Sequence, residues 1–306
     1  MVFSELTTAT MRQLAHHGRY AYTSILQRPD HDFPGGKRLA VYLGFNIEHF
    51  DFGTGLGAAL GPVSPHPDVL NYSWRDYGNR VGVWRCLELF DQLGLPTGAI
   101  VNAALYDYCP EVVAAFVARG DEIIAHGHTN SERQGTLDEA DERRLITDCR
   151  ERIRMESGTA PRGWLSPWIS ESTVTPDLLA EAGYAYTLNW CHDDQPVPMA
   201  TRGGGSIMAI PYPQELNDVP MIIARQMDGS AFADMVIDNY TEMLRQSKAQ
   251  PLVMGIALHP YIVGQPYRLL HLRRALAHIV ESKQAWITTP GAICDYVTAL
   301  PTKRPP

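Results

Sequence analysis

The sequence contains no apolar run approaching the roughly 18 residues that a membrane-spanning helix needs. It has no basic surplus either. Thirty-four acidic residues stand against 26 basic ones, and the net charge of -8 would repel a phosphate backbone, which argues against nucleic acid as a partner. The five cysteines, Cys86, Cys109, Cys149, Cys191 and Cys294, are odd in number and scattered, without the CxxC spacing of a zinc or redox site, and read as reduced packing residues. The opening MVFSELTTATMRQLAHHGRY lacks the basic start and apolar stretch of a secretory signal, so a cytoplasmic location is expected. No strand-like run is followed by a glycine-rich phosphate loop of the GxGxxG or GxxxxGK type. What remains is a soluble globular chain of 306 residues, 45% of them apolar, enough for a sizeable core.

Residues 1–36 are polar and mixed and are expected to form an arm on a single domain spanning 37–300. Leu39 to Phe45 (LAVYLGF) reads as a strand buried on both faces, and it ends in Asn46-Ile47-Glu48-His49. Residues 51–80, rich in Gly, Pro and Tyr, are far longer than an ordinary connection and are expected to be a binding loop. Apolar spacing then predicts helices over 81–93, 110–119, 136–156, 175–182, 230–246 and 269–281, with a capping box at Thr136 to Glu139. Further strands are expected over 97–102, 122–125, 162–165, 184–190, 207–211, 252–258 and 285–288. Strand and helix alternate about seven times, with polar clusters at the C-terminal ends of the strands, as in a parallel β/α barrel whose end loops build one site. An open doubly wound sheet is the other arrangement, and the missing phosphate loop speaks against it.

The densest polar run follows the third expected strand, in Asp121 to Arg133 (DEIIAHGHTNSER). If the strand continues, His126 and His128 share a face through the period-two alternation and could reach one metal or one substrate. Two ordinary loop histidines are the plain alternative, because an isolated HxH is a weak motif.

The pieces NIEHF, YGNRVGVWR (77–85), DEIIAHGHTNSE, GWLSPW (163–168), DDQP (193–196) and ALHPYIVGQPYR (257–268) stand in an order that resembles the polysaccharide deacetylase (NodB-homology) superfamily, specifically its allantoinase-like branch. The likeness runs from about Lys37 to Thr289 and implies an α/β fold, a distorted parallel β/α barrel. In the deacetylases the first strand ends in two aspartates, a base and a metal ligand, and the third supplies HxxxH. The matching positions here are Asn46, Glu48, His126 and Asn130. An arginine that holds the base in that family is matched by Leu165. A neutral amide cannot take a proton from water, so Asn46 is expected to bind substrate instead. His259 matches the histidine that protonates the leaving group. Glu48 would be a metal ligand or a general base, and His128 could replace the ligand lost at Asn130, giving Glu48, His126 and His128 as a metal set. A divalent metal such as zinc and metal-free catalysis both stay open. Arg80 and Asp194 are expected to recognise substrate, and Trp168 to wall the pocket.

The resemblance implies a hydrolase of non-peptide carbon–nitrogen bonds acting on a small molecule, a cyclic ureide or imide. The alternatives are a metal-dependent sugar N-deacetylase and a catalytically dead binding protein on the same scaffold. It also implies a homo-oligomer, a dimer or tetramer.

Overall fold

A computed structural model describes residues 15–65 and 67–301. Its strands are β1 (Leu39–Ile47), β2 (Gly98–Val101), β3 (Glu122–Ala125), β4 (Gly163–Trp164), β5 (Tyr186–Thr187), β6 (Val197–Ala200), β7 (Ser206–Ala209), β8 (Leu252–Leu258) and β9 (Trp286–Thr288). They form one sheet in the order β6-β7-β5-β4-β3-β2-β1-β8, with β9 also on β1, and every pairing is parallel except β6 with β7. The far side of β8 is occupied by irregular chain: Ala257 N donates to Leu216 O, and Asn217 bridges Ala257 in parallel. The sheet is thus a distorted barrel, with nine strands where about seven were expected.

Between the strands lie α1 (Val69–Tyr77), α2 (Val83–Leu93), α3 (Leu105–Tyr108), α4 (Pro110–Arg119), α5 (Glu139–Ser157), α6 (Thr175–Glu181), α7 (Gly229–Gln246), α8 (Pro260–Val263), α9 (Pro266–Ser282) and α10 (Pro290–Ala299). Every residue of β1 and β8 is buried, which is why both are continuous apolar runs rather than alternating ones. The register levels the strand ends: Phe45 pairs with Leu258, Ile47 with Val101, Val101 with Ala125, and Ala125 with Trp164. The next residues along each strand, Glu48, Asn102, His126, Leu165 and His259, therefore emerge on one rim.

Three local expectations change. The second half of the long loop is helical, because Asp68 caps α1 by accepting from Asn71 N and Trp74 turns into the core. The cap of α5 is Asp138, which accepts from Asp141 N, and Thr136 instead donates its hydroxyl to Arg133 O. The edge strand β6 escaped notice because it carries Pro198, which only an edge tolerates. Of the expected arm, residues 1–14 lie outside the described residues. Residues 15–36 run over the domain, where Arg19 clasps Asp177 at 2.5 and 2.7 Å and Arg28 pairs with Asp193 at 2.5 Å.

One close backbone approach positions the site. Between α1 and α2 the chain makes a π-helical turn, Gly78–Gly82, that packs directly on α8. A Cβ on Gly82 would lie 2.1 Å from Pro260 O, and one on Gly78 2.7 Å from Tyr261 N. Backbone flanks both positions, so neither contact can be relieved by a side-chain rotation. Gly82→Ala should therefore destabilise the fold by about 1–3 kcal/mol, the usual cost of overpacking, and displace Tyr261. Urea unfolding of the two proteins side by side measures this, and an unchanged midpoint would refute it.

Candidate active site

The levelled strand ends open into a cavity of about 310 Å3, lined among others by Asn46, Glu48, His126, Asn130, Tyr212 and His259. Glu48 is its centre. Its Oε1 accepts from the Asn130 amide and lies 3.5 Å from both His126 Nε2 and His259 Nε2, while Oε2 accepts from the Tyr261 hydroxyl at 2.9 Å. Behind His259 stands Asp218, wholly buried, which accepts from His259 Nδ1 at 2.6 Å and from its backbone N–H at 2.7 Å. His126 donates its Nδ1–H to Leu165 O at 2.7 Å, so its Nε2, buried and without a hydrogen-bond partner, faces the cavity. Asn102 ties the rim together by accepting from His49 N at 2.8 Å and donating to His126 O.

Burial alone would raise the Glu48 carboxyl and lower the His259 imidazole. Neighbouring charges reverse both: His259 and His126 hold Glu48 down at about 2, and Asp218 together with Glu48 raises His259 to about 10. Burial pushes Asp218 up, and the His259 charge pulls it back. The proton of this pair sits on His259, because Glu48 on its far side adds a second negative charge. At neutral pH the site thus holds an imidazolium between two carboxylates, a proton donor aimed at the cavity beside a fixed negative charge.

Glu48, His126, His259, Asn46 and Trp168 all line the cavity. Asn46 donates to Tyr212 Oη at 2.9 Å and to Leu258 O at 3.2 Å, and Trp168 donates from its indole to Asn130 O at 2.9 Å. Three expectations fail. His128 is exposed and borders a different hollow with Asp107 and Arg152, because β3 ends at Ala125 and Gly127, at φ 65°, breaks the period-two alternation. Arg80 points outward to Asp76 and the Tyr108 hydroxyl, and in the π-helical turn it is Asn79 that faces inward, donating to Glu48 O at 2.9 Å. Asp194 lies by the start of β8, where its carbonyl accepts from Val253 N at 2.8 Å, and it lines a separate cavity of about 390 Å3. The chain turns back after β5, so the DDQP segment returns to the opposite end of the barrel. Asp218 and Tyr261 were not foreseen. A lone acid between Asn217 and Val219-Pro220, outside any helix or strand pattern, was the available signal for the first.

A metal would need more than the donors present. The expected set loses His128 to the surface, and the Asn130 amide presents its N–H side to Glu48. Among the described residues no group of three His, Cys, Asp or Glu side chains is placed to hold a metal ion. The residues do not fit one.

No family model matches the chain. A Schizosaccharomyces pombe protein provisionally named a polysaccharide deacetylase is 25% identical over 270 residues, 83% of this chain and 84% of that protein. A crystal structure of a probable polysaccharide deacetylase from Pseudomonas aeruginosa superposes with a TM-score of 0.80 at 25% identity, covering 88% of this chain and 94% of that one. The structure of Puue allantoinase gives a TM-score of 0.79 at 25% identity, covering 92% and 98%.

The charge array can be tested without a substrate. His259 should titrate at about 10 in the folded protein, and in Asp218→Asn it should fall toward the ordinary 6.5. NMR of labelled imidazoles reads both values. A raised folded value also means that the imidazolium supports the fold fully below pH 6.5 and loses that contribution as the pH rises toward about 10. A His259 midpoint near 6.5 in the unaltered protein would overturn this description.

Proposed function

From its likeness in sequence and fold to NodB-like polysaccharide deacetylases we propose that the chain is an enzyme that hydrolyses a non-peptide carbon–nitrogen bond in a small amide, a cyclic ureide or imide. The observation that carries this is the buried array of Glu48, His259 and Asp218 on a cavity of about 310 Å3, at the small end of the range for ligand sites. The likeness to Puue allantoinase supports the cyclic substrate.

Water attacks the carbonyl carbon, the carbon–nitrogen bond breaks, and the departing nitrogen takes the proton of His259 Nε2. An amide nitrogen leaves poorly without that proton. Glu48 aligns the water and accepts its proton, and the 3.5 Å between Glu48 Oε1 and His259 Nε2 lets the proton return to the imidazole. Asp218 keeps the ring oriented through Nδ1 and stabilises its charge.

A second reading, N-deacetylation of a sugar amide, has the better support in the names of relatives: a polysaccharide deacetylase name in S. pombe, a peptidoglycan deacetylase in Helicobacter pylori and the P. aeruginosa structure. The same proton chemistry would serve it. A non-catalytic binding protein on this scaffold is the reading that turnover of any amide removes.

A panel of cyclic ureides, cyclic imides and N-acetyl sugars, assayed with and without chelator, decides among them. Ring opening that survives chelation is the expected result, whereas deacetylation abolished by chelator would transfer the assignment to the second reading. On the accepted substrate His259→Gln should lower kcat by about 10² to 10⁴, the usual share of one acid–base group, measured on the folded fraction because the variant also loses the cation between Glu48 and Asp218. The alkaline limb of the rate profile should fall near pH 10, since activity needs the protonated imidazole. Full turnover by the variant would mean that His259 is structural.

A further inference from the structure

One wall of the cavity is built in a conformation that its sequence does not favour. Trp168 and Ile169, both lining the cavity, sit at φ 59° and φ 52°, the left-handed region that aromatic and β-branched side chains avoid. Neither is glycine or asparagine, so the surroundings must hold each of them in place. One side-chain amide links the two ends of the segment that carries them. Asn189 accepts from Ser166 N at 2.8 Å and donates both to Ser166 Oγ at 2.8 Å and to Glu171 Oε1 at 2.7 Å. Ser166 precedes the strained pair and Glu171 follows it, so Asn189 closes the loop at both ends. The other Glu171 oxygen accepts from the Trp190 indole at 3.0 Å. Below the loop, Gly135 leaves the room that lets Glu171 sit there, since a Cβ on it would lie 2.5 Å from Glu171 O.

We propose that Glu171 and Asn189 are positioning residues for the substrate pocket: their staple keeps Trp168 and Ile169 in the left-handed conformation and so sets the width of the cavity and its affinity for the bound amide. Neither residue touches the reacting atoms. When the staple opens, the strained pair relaxes and the indole leaves its place against Asn130 O, which widens the pocket. The staple needs an ionised Glu171, because two donors, the Asn189 amide and the Trp190 indole, each claim one oxygen of the carboxylate. Burial lifts this carboxyl to about 6 against the pull of Asn189 and Trp190, with Glu142 on α5 raising it further and Arg19 of the preceding segment lowering it. His17 and His192 pack on the Trp190 ring from outside. The wall is therefore held at neutral pH and released as the pH falls through about 6.

The proposal rests on the cavity being the substrate site, and its main test needs no turnover. The full chain is labelled with 5-fluorotryptophan, and Trp168→Phe identifies the Trp168 fluorine signal. In the unaltered protein that signal should move with a midpoint at about 6. In Glu171→Gln it should already sit at the low-pH position at neutral pH and no longer titrate, and Asn189→Ala should match it. On the amide accepted in the panel above, Glu171→Gln should raise KM by about 5- to 20-fold while leaving kcat within about 2-fold, the split of a group that acts on binding. A Trp168 signal that is the same in both proteins and flat across the pH range overturns the proposal whatever the panel shows. So does a titration that persists in Glu171→Gln. Because that variant changes one oxygen for an amide nitrogen, it stays informative if Asn189→Ala does not fold.

Discussion

A carboxylate has been taken out of water at the C-terminal rim of this barrel, and the arrangement around it follows from the need to satisfy it. Glu48 is 6% exposed, and desolvation on that scale is tolerated only when donors or positive charge stand on every open side. They come from far apart in the sequence. Asn130 follows β3, Tyr261 belongs to α8, His259 follows β8, and Asp218 lies in the irregular chain that closes the barrel. The parallel register is what lets them meet, since it brings the ends of β1, β2, β3, β4 and β8 to one level. The glycine contact between the π-helical turn and α8 then fixes Tyr261 beneath the carboxylate.

Charge and shape are set by different parts of the fold. The charged pair Glu48 and His259 directly follows β1 and β8, strands whose every residue is buried, where a side chain can be aimed with little freedom. The apolar wall rides on a loop held away from its preferred backbone by hydrogen bonds at its two ends. Proton transfer tolerates little displacement, whereas the fit of a substrate can be altered by moving a wall. A chain built in this way can change what it accepts without disturbing how it moves protons.

The barrel was legible because a buried parallel strand leaves a continuous apolar run, and β1, β3 and β8 fall where such runs stand in the sequence. Glu48, His126 and His259 were legible for a related reason: each is the first reactive side chain after one of those runs. Legibility fails where the backbone departs from a regular period. His128 would share a face with His126 on a continued strand, but Gly127 turns the chain at φ 65°. Arg80 would face inward at some phases of an α-helix, but the π-helical turn hands that place to Asn79. Asp218 has no local pattern at all, and its role comes from a contact with His259 across 41 residues. Asp194 was misplaced because the reversal after β5 leaves no mark in composition. Of the separation of one arm from one domain, the contacts of Arg19 and Arg28 describe only where residues 15–36 rest.

The three positions at which this chain departs from the deacetylase pattern, Asn46, Asn130 and Leu165, form one physical unit. The Asn46 amide donates to Leu258 O at 3.2 Å, so a carboxylate there would turn an oxygen toward a carbonyl. It would also add a third negative charge beside Glu48 and Asp218, with His259 the one cation set between them. An arginine at position 165 could offset that charge. Leu165, however, is buried in an apolar cluster with Ile124, Tyr186 and Tyr212, and its carbonyl is already taken by His126. At 130 the amide donates its N–H to Glu48, a bond that a neutral imidazole could also make, but only by presenting its proton rather than the lone pair a metal requires. Each replacement is neutral, and together they keep the buried charges at two carboxylates around one imidazolium. Reverting Asn46 or Leu165 alone would leave a charge without a partner in the dry rim of the barrel, which is why those two changes are expected to stand or fall together.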